Sequence, residues 1–532
     1  FRVDCEGAML AATKRGSAFV NELNRSKIEI GDRSLHIADL IQICRALNAS
    51  PVRHPLKLRV ISKTRANDLD GLKGEKTVIQ HSVIKIAKAI VIFAIPALLQ
   101  AQNRIDQIRP DAPALAAYGE WQIGVKTLKF INQEQIDVLR TKAGEESKRY
   151  NRTLTVEIWY PAAGSPESEV RNSDGLTRGE YRTSTRDPKR IVSIFGKALR
   201  DAPQVSNHRF PLVMISHGYP GNRYLLSHLG ENLASKGYIV ASIDHMESTY
   251  NDQAGFASTL LNRPLDILFV LQEIERLDKG AASDKTHEGF KGLIDTSNTG
   301  IIGYSMGGYG VVNVIGGGFT EASTKLPIAP TNRLLEVRQT GNKQYEASID
   351  RRIKAAVAFA PWGWNAGFWD AQSLSGIKTP IFYIGGSHDD VSGYSPGFRN
   401  LFEGSVNAHR YLLTFLNANH NAGAPIPAPR ESWDKVSHLP TPPAFHYMDP
   451  VWDSVRMNNI AQHFVTAFLG KYLKLDPSMD AYLNLTEYAS DGKWSVETDG
   501  SPKSDHTYWK GFQRRQASGL RLESKTPFGA KN

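Results

Sequence analysis

The sequence predicts an α/β fold with a mostly parallel central sheet and helices on both faces. Three observations carry this. Short continuous apolar runs recur between residues 211 and 416, as expected of strands buried on both faces rather than half-solvated ones. Segments of helical periodicity lie between them, and strand–helix alternation of this kind implies parallel strands joined by covering helices. One apolar run ends at Gly303-Tyr304-Ser305-Met306-Gly307 and leads into MGGYGVVNVI, which can start a helix.

Taken in order, GVKTLKFIN (124–132) and RTLTVEIWYP (152–161) alternate as half-buried strands and suit an antiparallel opening pair. Residues 162–208 are rich in Ser, Arg, Gly and Pro and read as a long loop. The buried strands follow: PLVMIS (211–216), YIVASID (238–244), GIIGY (300–304), IKAAVAFA (353–360), PIFYIGG (380–386) and RYLLTFL (410–416). Helical patterns occupy 224–237, 257–277 and 449–473. An insertion, 316–352, follows the helix after Ser305. Its charges (Arg333, Glu336, Arg338, Lys343, Glu346) suggest a solvated outer surface and a role as a cap. The tail, 476–532, carries Trp494, Tyr508, Trp509 and Phe512, enough aromatic surface to wrap the domain.

Length, 532 residues, suits one large domain with insertions or two to four average ones. Hydrophobic content of 41% and charged content of 22% are those of an ordinary globular protein. The net charge of +10 is concentrated at one end: residues 1–101 hold sixteen Lys/Arg against nine Asp/Glu, which leaves only +3 for the rest. A nucleic-acid role for the main body therefore has little support. Cys5 and Cys44 both lie in that leader, which rules out a disulfide scaffold or a cysteine-based zinc site for residues 102–532.

The leader itself, 1–81, contains SKIEIGDRSLHIADLIQICRALNASP (26–51), which resembles the last helices of a phage-repressor-like helix-turn-helix domain without its first half. Residues 82–101 place Lys85 and Lys88 before an apolar stretch of eleven residues. That is short of the roughly twenty a membrane span needs, and no stable span is expected; the pattern is that of a secretory signal peptide. A natural start near residues 78–84 is expected, with secretion or a periplasmic location, and the upstream part as an extended reading frame or fusion.

Ser305 is the candidate nucleophile. Gly303 and Gly307 remove the Cβ atoms that would collide in a sharp strand–helix turn, which leaves the hydroxyl exposed above the sheet edge. A serine hydroxyl needs a base, and the base needs an orienting acid. His420 follows the strand 410–416, and Asp389 and Asp390 follow 380–386, in the chain order Ser, acid, His. Asp389 is preferred as the acid, with Asp390 capping the turn. The N–H of Met306 supplies one oxyanion donor. The second should come from His217-Gly218-Tyr219-Pro220-Gly221; since proline has no N–H, Tyr219 is the natural donor and His217 a brace for the loop. PWGWNAGFWD (361–370) sets Trp362, Trp364, Phe368 and Trp369 past a strand end, with Trp362 facing the pocket and at least two of the others structural. His245 with Glu247 and Asp252 fits no standard metal-ligand spacing, and HDD (388–390) is better read as part of the triad, so no metal or other cofactor is expected.

ISHGYPGNRYLLSHLGENLASKGYIVASIDH, GYSMGG, APW and IGGSHDD together resemble the α/β-hydrolase superfamily over roughly residues 118–475. The likeness is to the dienelactone-hydrolase-like and bacterial platelet-activating-factor-acetylhydrolase-like esterases. It extends to bacterial cutinases and polyester hydrolases in the GYxG loop and the Pro-Trp after a strand. The chain departs from dienelactone hydrolases in having Ser305 for cysteine, and from compact cutinases in the insertion and the tail. The resemblance implies a carboxylic ester hydrolase acting on small-molecule or polymeric esters, with Tyr219 and Trp362 touching substrate. The same triad would serve a peptidase, amidase or thioesterase, and residues 26–51 leave a DNA-binding regulator with a hydrolase-like ligand domain as a further reading.

Overall fold

The computed structural model describes residues 102–163, 179–253, 255–281 and 289–529, together with three short strands nearer the N-terminus. The chain divides into two compact units, Phe1–Gln100 and Ala101–Asn532. In the first, strand Lys27–Ile30 pairs antiparallel with both Arg33–His36 and Leu58–Val60. Ile30 and Arg33 are register partners. These pairings at Lys27–Ile30 and Arg33–His36 are what is described of the helix-turn-helix-like segment 26–51. The remainder of that segment and the signal-peptide-like stretch 82–101 lie outside the described residues.

In the second unit ten strands form one sheet. The opening pair is β1 (Gln122–Ile136) and β2 (Arg149–Ala162). The strands that follow are β3 (Phe210–Ser216), β4 (Ile239–Asp244), β5 (Ile294–Tyr304), β6 (Ile353–Phe359), β7 (Ile381–Gly386), β8 (Arg410–Phe415) and β9 (Leu520–Lys525). Their order across the sheet is β1-β2-β4-β3-β5-β6-β7-β8-β9, and a two-residue strand, Leu199–Arg200, lies outside β1. The strands from β4 to β8 run parallel, while β1, β2 and β9 join antiparallel.

Period-two alternation sends successive residues of each strand to opposite faces. Val213, Ile215, Val240, Ile302, Val357, Phe382 and Leu413 meet α1 (Ser227–Ala234) and α5 (Ser454–Leu473) through Leu229, Leu233, Phe464 and Phe468. Leu212, Met214, Ala241, Ile301, Ala356, Ile381 and Leu412 meet α2 (Phe256–Asp278), α3 (Met306–Val314) and α4 (Phe398–Gly404) through Ile267, Leu271, Val311, Val312 and Phe402. Both faces are covered, which is why the sequence shows unbroken apolar runs. Among the described residues, no helix is long and apolar enough to cross a membrane.

Two segments depart from their simplest sequence reading, 162–208 and the insertion. Within 162–208, read as loop, Glu180–Ser184 and Ile191–Phe195 pair as strands, with Asn103–Arg104 alongside; Tyr181, Val192 and Ile194 point inward at alternate positions. In the insertion, Arg338 is buried rather than solvated. Its Nε donates to Asn313 Oδ1 (2.7 Å), and its guanidinium lies over Tyr345. Tyr345 in turn donates to the Asn313 carbonyl (2.6 Å), and Trp369 Nε1 donates to Gly317 (3.0 Å). These bonds anchor the insertion at the C-terminal end of α3, about 12 Å along its axis from Ser305. The tail wraps the domain: Trp509 and Phe512 are buried against Phe464, and β9 pairs with β8 at the sheet edge.

Four buried histidines, His228, His245, His446 and His463, are pushed by burial down to about 3. Both ring nitrogens of His228 are without a partner among the described residues. Because their folded pKa values lie below that of a free imidazole, each contributes stability above pH ~6.5 that is lost as the pH falls toward 3, about 2 kcal/mol per ring by pH 5. Glu231, raised to about 7 by burial, works in the opposite sense above its free value and offsets one of the four. Chemical denaturation should therefore show stability falling from pH 6.5 to 4.5, and His228→Leu should shallow that slope by about one proton.

Candidate active site

β5 ends at Tyr304, which is in register with Phe359 of β6, and Ser305 turns the chain directly into α3. Its backbone sits at φ 53° and ψ −111°, a conformation costing about 1–3 kcal/mol and held only by its surroundings. Here the Ser305 amide donates to the Phe359 carbonyl (2.9 Å), and the Ser305 carbonyl accepts from Tyr309 (3.0 Å) and Trp362 (3.1 Å). The flanking glycines are required by close approach. A Cβ on Gly303 would stand 2.3 Å from the Gly307 carbonyl oxygen, and one on Gly307 would stand 1.9 Å from that of Ser216. Met306 is the first residue of α3, so its N–H is among the first-turn amides that have no acceptor within the helix.

His420 lies on the loop after β8. Its Nδ1 is 3.0 Å from each carboxylate oxygen of Asp389, on the loop after β7. Asp389 Oδ1 also accepts from the amides of Val391 (2.9 Å) and Ser392 (2.7 Å). The turn is therefore capped by Asp389 itself; Asp390, expected to cap it, is exposed, as is His388. Burial pushes the Asp389 carboxyl up, but the His420 contact and the two amides outweigh it and hold the group below its usual range. A negative Asp389 fixes the Nδ1–H tautomer of His420 and leaves Nε2 as the unprotonated ring nitrogen. Gly386 lets the two loops meet, since a Cβ there would stand 2.2 Å from the Ala418 carbonyl.

The His420 ring packs on Tyr304, the neighbour of Ser305, with centroids 5.2 Å apart. Tyr304 donates to Asn421 Oδ1 (2.8 Å), and Asn421 Nδ2 donates to the carbonyls of Phe445 (3.0 Å) and Met448 (2.6 Å). Asp449 Oδ2 accepts the Asn419 amide (2.6 Å). Tyr304, Asn421 and Asp449 thus seat the histidine loop, and sequence reasoning missed all three. Only Tyr304 carried a signal, its place inside GYSMGG.

The loop after β3 lies against Ser305: a Cβ on Gly218 would be 3.1 Å from the Tyr304 ring and 3.4 Å from Ser305 Cβ. Tyr219 anchors its hydroxyl on the Gln253 carbonyl (2.7 Å) and packs edge-on against Phe256, which packs edge-on against Trp362. These three half-buried rings form an aromatic wall; Phe256, at the start of α2, was not singled out in the sequence. Of the other aromatics in 361–370, Phe368 and Trp369 are buried against Tyr309 and Phe319. His245 engages both nitrogens with Ser216 and Asp266 (2.9 Å each), Glu247 accepts from Arg152, and Asp252 accepts the Glu247 amide. Among the described residues no cluster of three such side chains could hold a metal.

Strand order, crossovers and the strained serine turn define an α/β-hydrolase fold. A family model described as PETase, PET hydrolase-like, matches residues 165–339. Cutinase est1 of Thermobifida alba is 26% identical over 219 residues, covering 41% of this chain and 55% of that protein. Platelet-activating factor acetylhydrolase of Cavia porcellus is 22% identical over 278 residues, covering 44% and 55%. The chain spans about half the length of these curated relatives. A solved ferulic acid esterase from Streptomyces cinnamoneus, 21% identical with a TM-score of 0.45, covers 71% of this chain and 96% of its own.

The contact at Gly307 is with backbone and cannot yield by side-chain rotation. Gly307→Ala is expected to destabilise the protein by about 3 kcal/mol, read as a lower urea midpoint with an unchanged m-value.

Proposed function

We propose that this chain is a serine hydrolase of carboxylic esters. Ser305 attacks the ester carbonyl, and His420 takes the hydroxyl proton through Nε2 and returns it to the leaving alcohol. Asp389 stabilises the imidazolium that forms between those steps. The amides of Tyr219 and Met306 hold the tetrahedral oxyanion, and water then cleaves the acyl-enzyme in a second round of the same proton transfers. The observation that carries this reading is the buried Asp389–His420 pair, with its ring laid on the residue next to a strained serine.

The aromatic wall of Tyr219, Phe256 and Trp362 suits short- to medium-chain or aromatic acyl groups. That the relatives are a cutinase and an acetylhydrolase supports an ester over an amide. Residues 82–101 act in this reading as an export signal, to be checked by N-terminal sequencing of the natural product.

Assayed on p-nitrophenyl esters and matching anilides, the protein should turn over the esters, and Ser305→Ala should lower kcat by about 10⁶-fold. Asp389→Asn should lower kcat by about 10⁴-fold through the wrong imidazole tautomer, while Asp390→Asn should stay near wild type. Full ester turnover by Ser305→Ala would overturn the reading.

A further inference from the structure

Beneath the loop that follows β3 lies a buried polar chain that the proposed chemistry does not use. Arg263, on α2, is 1% exposed. One end of its guanidinium donates to the His217 carbonyl, and Nη1 also reaches Ser216 Oγ (3.4 Å); the other end donates to Ser248 Oγ. The Ser248 carbonyl accepts the Gly221 amide (3.2 Å), and Gly221 accepts from Tyr250 (3.0 Å). Both ends of the 217–221 loop are thereby tied to one side chain. The stem of Arg263 also lies on the nucleophile helix, where a Cβ on Gly310 would stand 2.8 Å from its Cγ.

The loop's middle is fixed by the His217 ring. Its Nε2 accepts the His245 amide (3.2 Å), so the ring proton sits on Nδ1 and is donated to the Gly218 carbonyl (2.7 Å). In a trans peptide the carbonyl and the next N–H point opposite ways. Holding the Gly218 oxygen therefore turns the Tyr219 N–H away from the His217 ring.

The chain continues inward. Ser216 Oγ is 2.9 Å from His245 Nε2, and His245 Nδ1 is 2.9 Å from Asp266 Oδ2. Asp266 is held by a two-pronged Arg152 (2.7 and 2.9 Å), which also reaches Glu247 (3.0 Å). This is a second Ser-His-Asp sequence of contacts, but all three members are buried, so it offers no nucleophile to solvent. Two arginines face two carboxylates, and the cluster is neutral, which is what makes a buried guanidinium without its own carboxylate partner tolerable. Burial lowers Arg263 to about 9, so it remains a cation at neutral pH.

We propose that Arg263 is a positioning residue for the oxyanion-binding loop. Through the His217 carbonyl, and backed by the Ser216–His245–Asp266–Arg152 chain, it holds the Gly218–Tyr219 peptide in the orientation that presents the Tyr219 N–H to the reacting oxygen. The inference rests on the ester-hydrolase reading. Its signature differs from that of a merely structural residue. Sulfur accepts hydrogen bonds weakly, so turnover of a thionoester gains little from an oxyanion hole and loses little when the hole is misaligned.

The test compares p-nitrophenyl butyrate with its thiono analogue on wild type, Arg263→Gln, Arg263→Lys, Ser248→Ala and Ser305→Ala, with melting temperatures alongside. Arg263→Gln is expected to lower kcat on the oxoester by about 10²-fold, the scale of one lost oxyanion donor. KM should be little changed and thionoester turnover much less affected. Arg263→Lys should recover part of the loss, and Ser248→Ala should move the same ratio in the same direction by less. Equal losses on both substrates, or no loss in a folded variant, overturn the proposal. If Arg263→Gln does not fold, the same ratio in Arg263→Lys decides it. Activity surviving in Ser305→Ala would instead overturn the ester-hydrolase reading itself.

Discussion

The site depends on one close approach, that of Gly307 to the backbone at the end of β3. With a hydrogen in place of a methyl group, the start of α3 comes down onto the Ser216 carbonyl, and two adjacent parallel strands deliver their loops to the same point. β3 supplies the 217–221 loop and β5 supplies Ser305. Nothing longer than a hydrogen fits between them, so the spacing of Ser305 and the loop is set by van der Waals contact of main chains rather than by adjustable side chains. The strained backbone of Ser305 follows from it. The helix must begin at once, and the main-chain bonds from Phe359, Tyr309 and Trp362 hold the residue in a conformation it would otherwise leave.

Around that contact the remaining groups are placed by a hierarchy of weaker constraints. Asp389 and His420 are joined because Gly386 allows the loops after β7 and β8 to touch. The ring is then steered onto Tyr304, and the loop carrying it is sewn to residues 445–449 through Asn421 and Asp449. The negative Asp389 serves two ends at once, capping its own turn and fixing the tautomer of the imidazole. One carboxylate doing both explains why its neighbour Asp390 is free to face solvent.

The sheet was legible in the sequence because parallel strands covered on both faces leave continuous apolar runs, and six such runs became β3 to β8. The serine turn was legible because its glycines answer a steric demand within five residues. Long-range partners left no local trace. Asn421 and Asp449 look like ordinary loop polar residues until the fold brings 445–449 beside them. Arg338 counted as a surface charge because composition cannot tell that Asn313 and Tyr345 will enclose it. The strands Glu180–Ser184 and Ile191–Phe195 were hidden by the Ser, Arg and Gly around them, although Tyr181, Val192 and Ile194 alternate inward. Phe256 opens a helix whose apolar periodicity begins at the next residue, so nothing marked it as part of a wall.

The sheet is closed on one side by β9, whose six residues pair with all of β8 although more than a hundred residues of chain separate the two strands. Until the C-terminal segment has left the ribosome, β8 presents an unpaired row of amides and carbonyls immediately before the histidine loop. A nascent or prematurely terminated chain therefore carries a sticky margin, open to another copy's strand. β9 covers it, and its own charges are spoken for: Arg521, Glu523 and Lys525 pair with Glu487, Arg399 and Glu403, while the Leu522 amide donates to the Glu487 carbonyl on the far side.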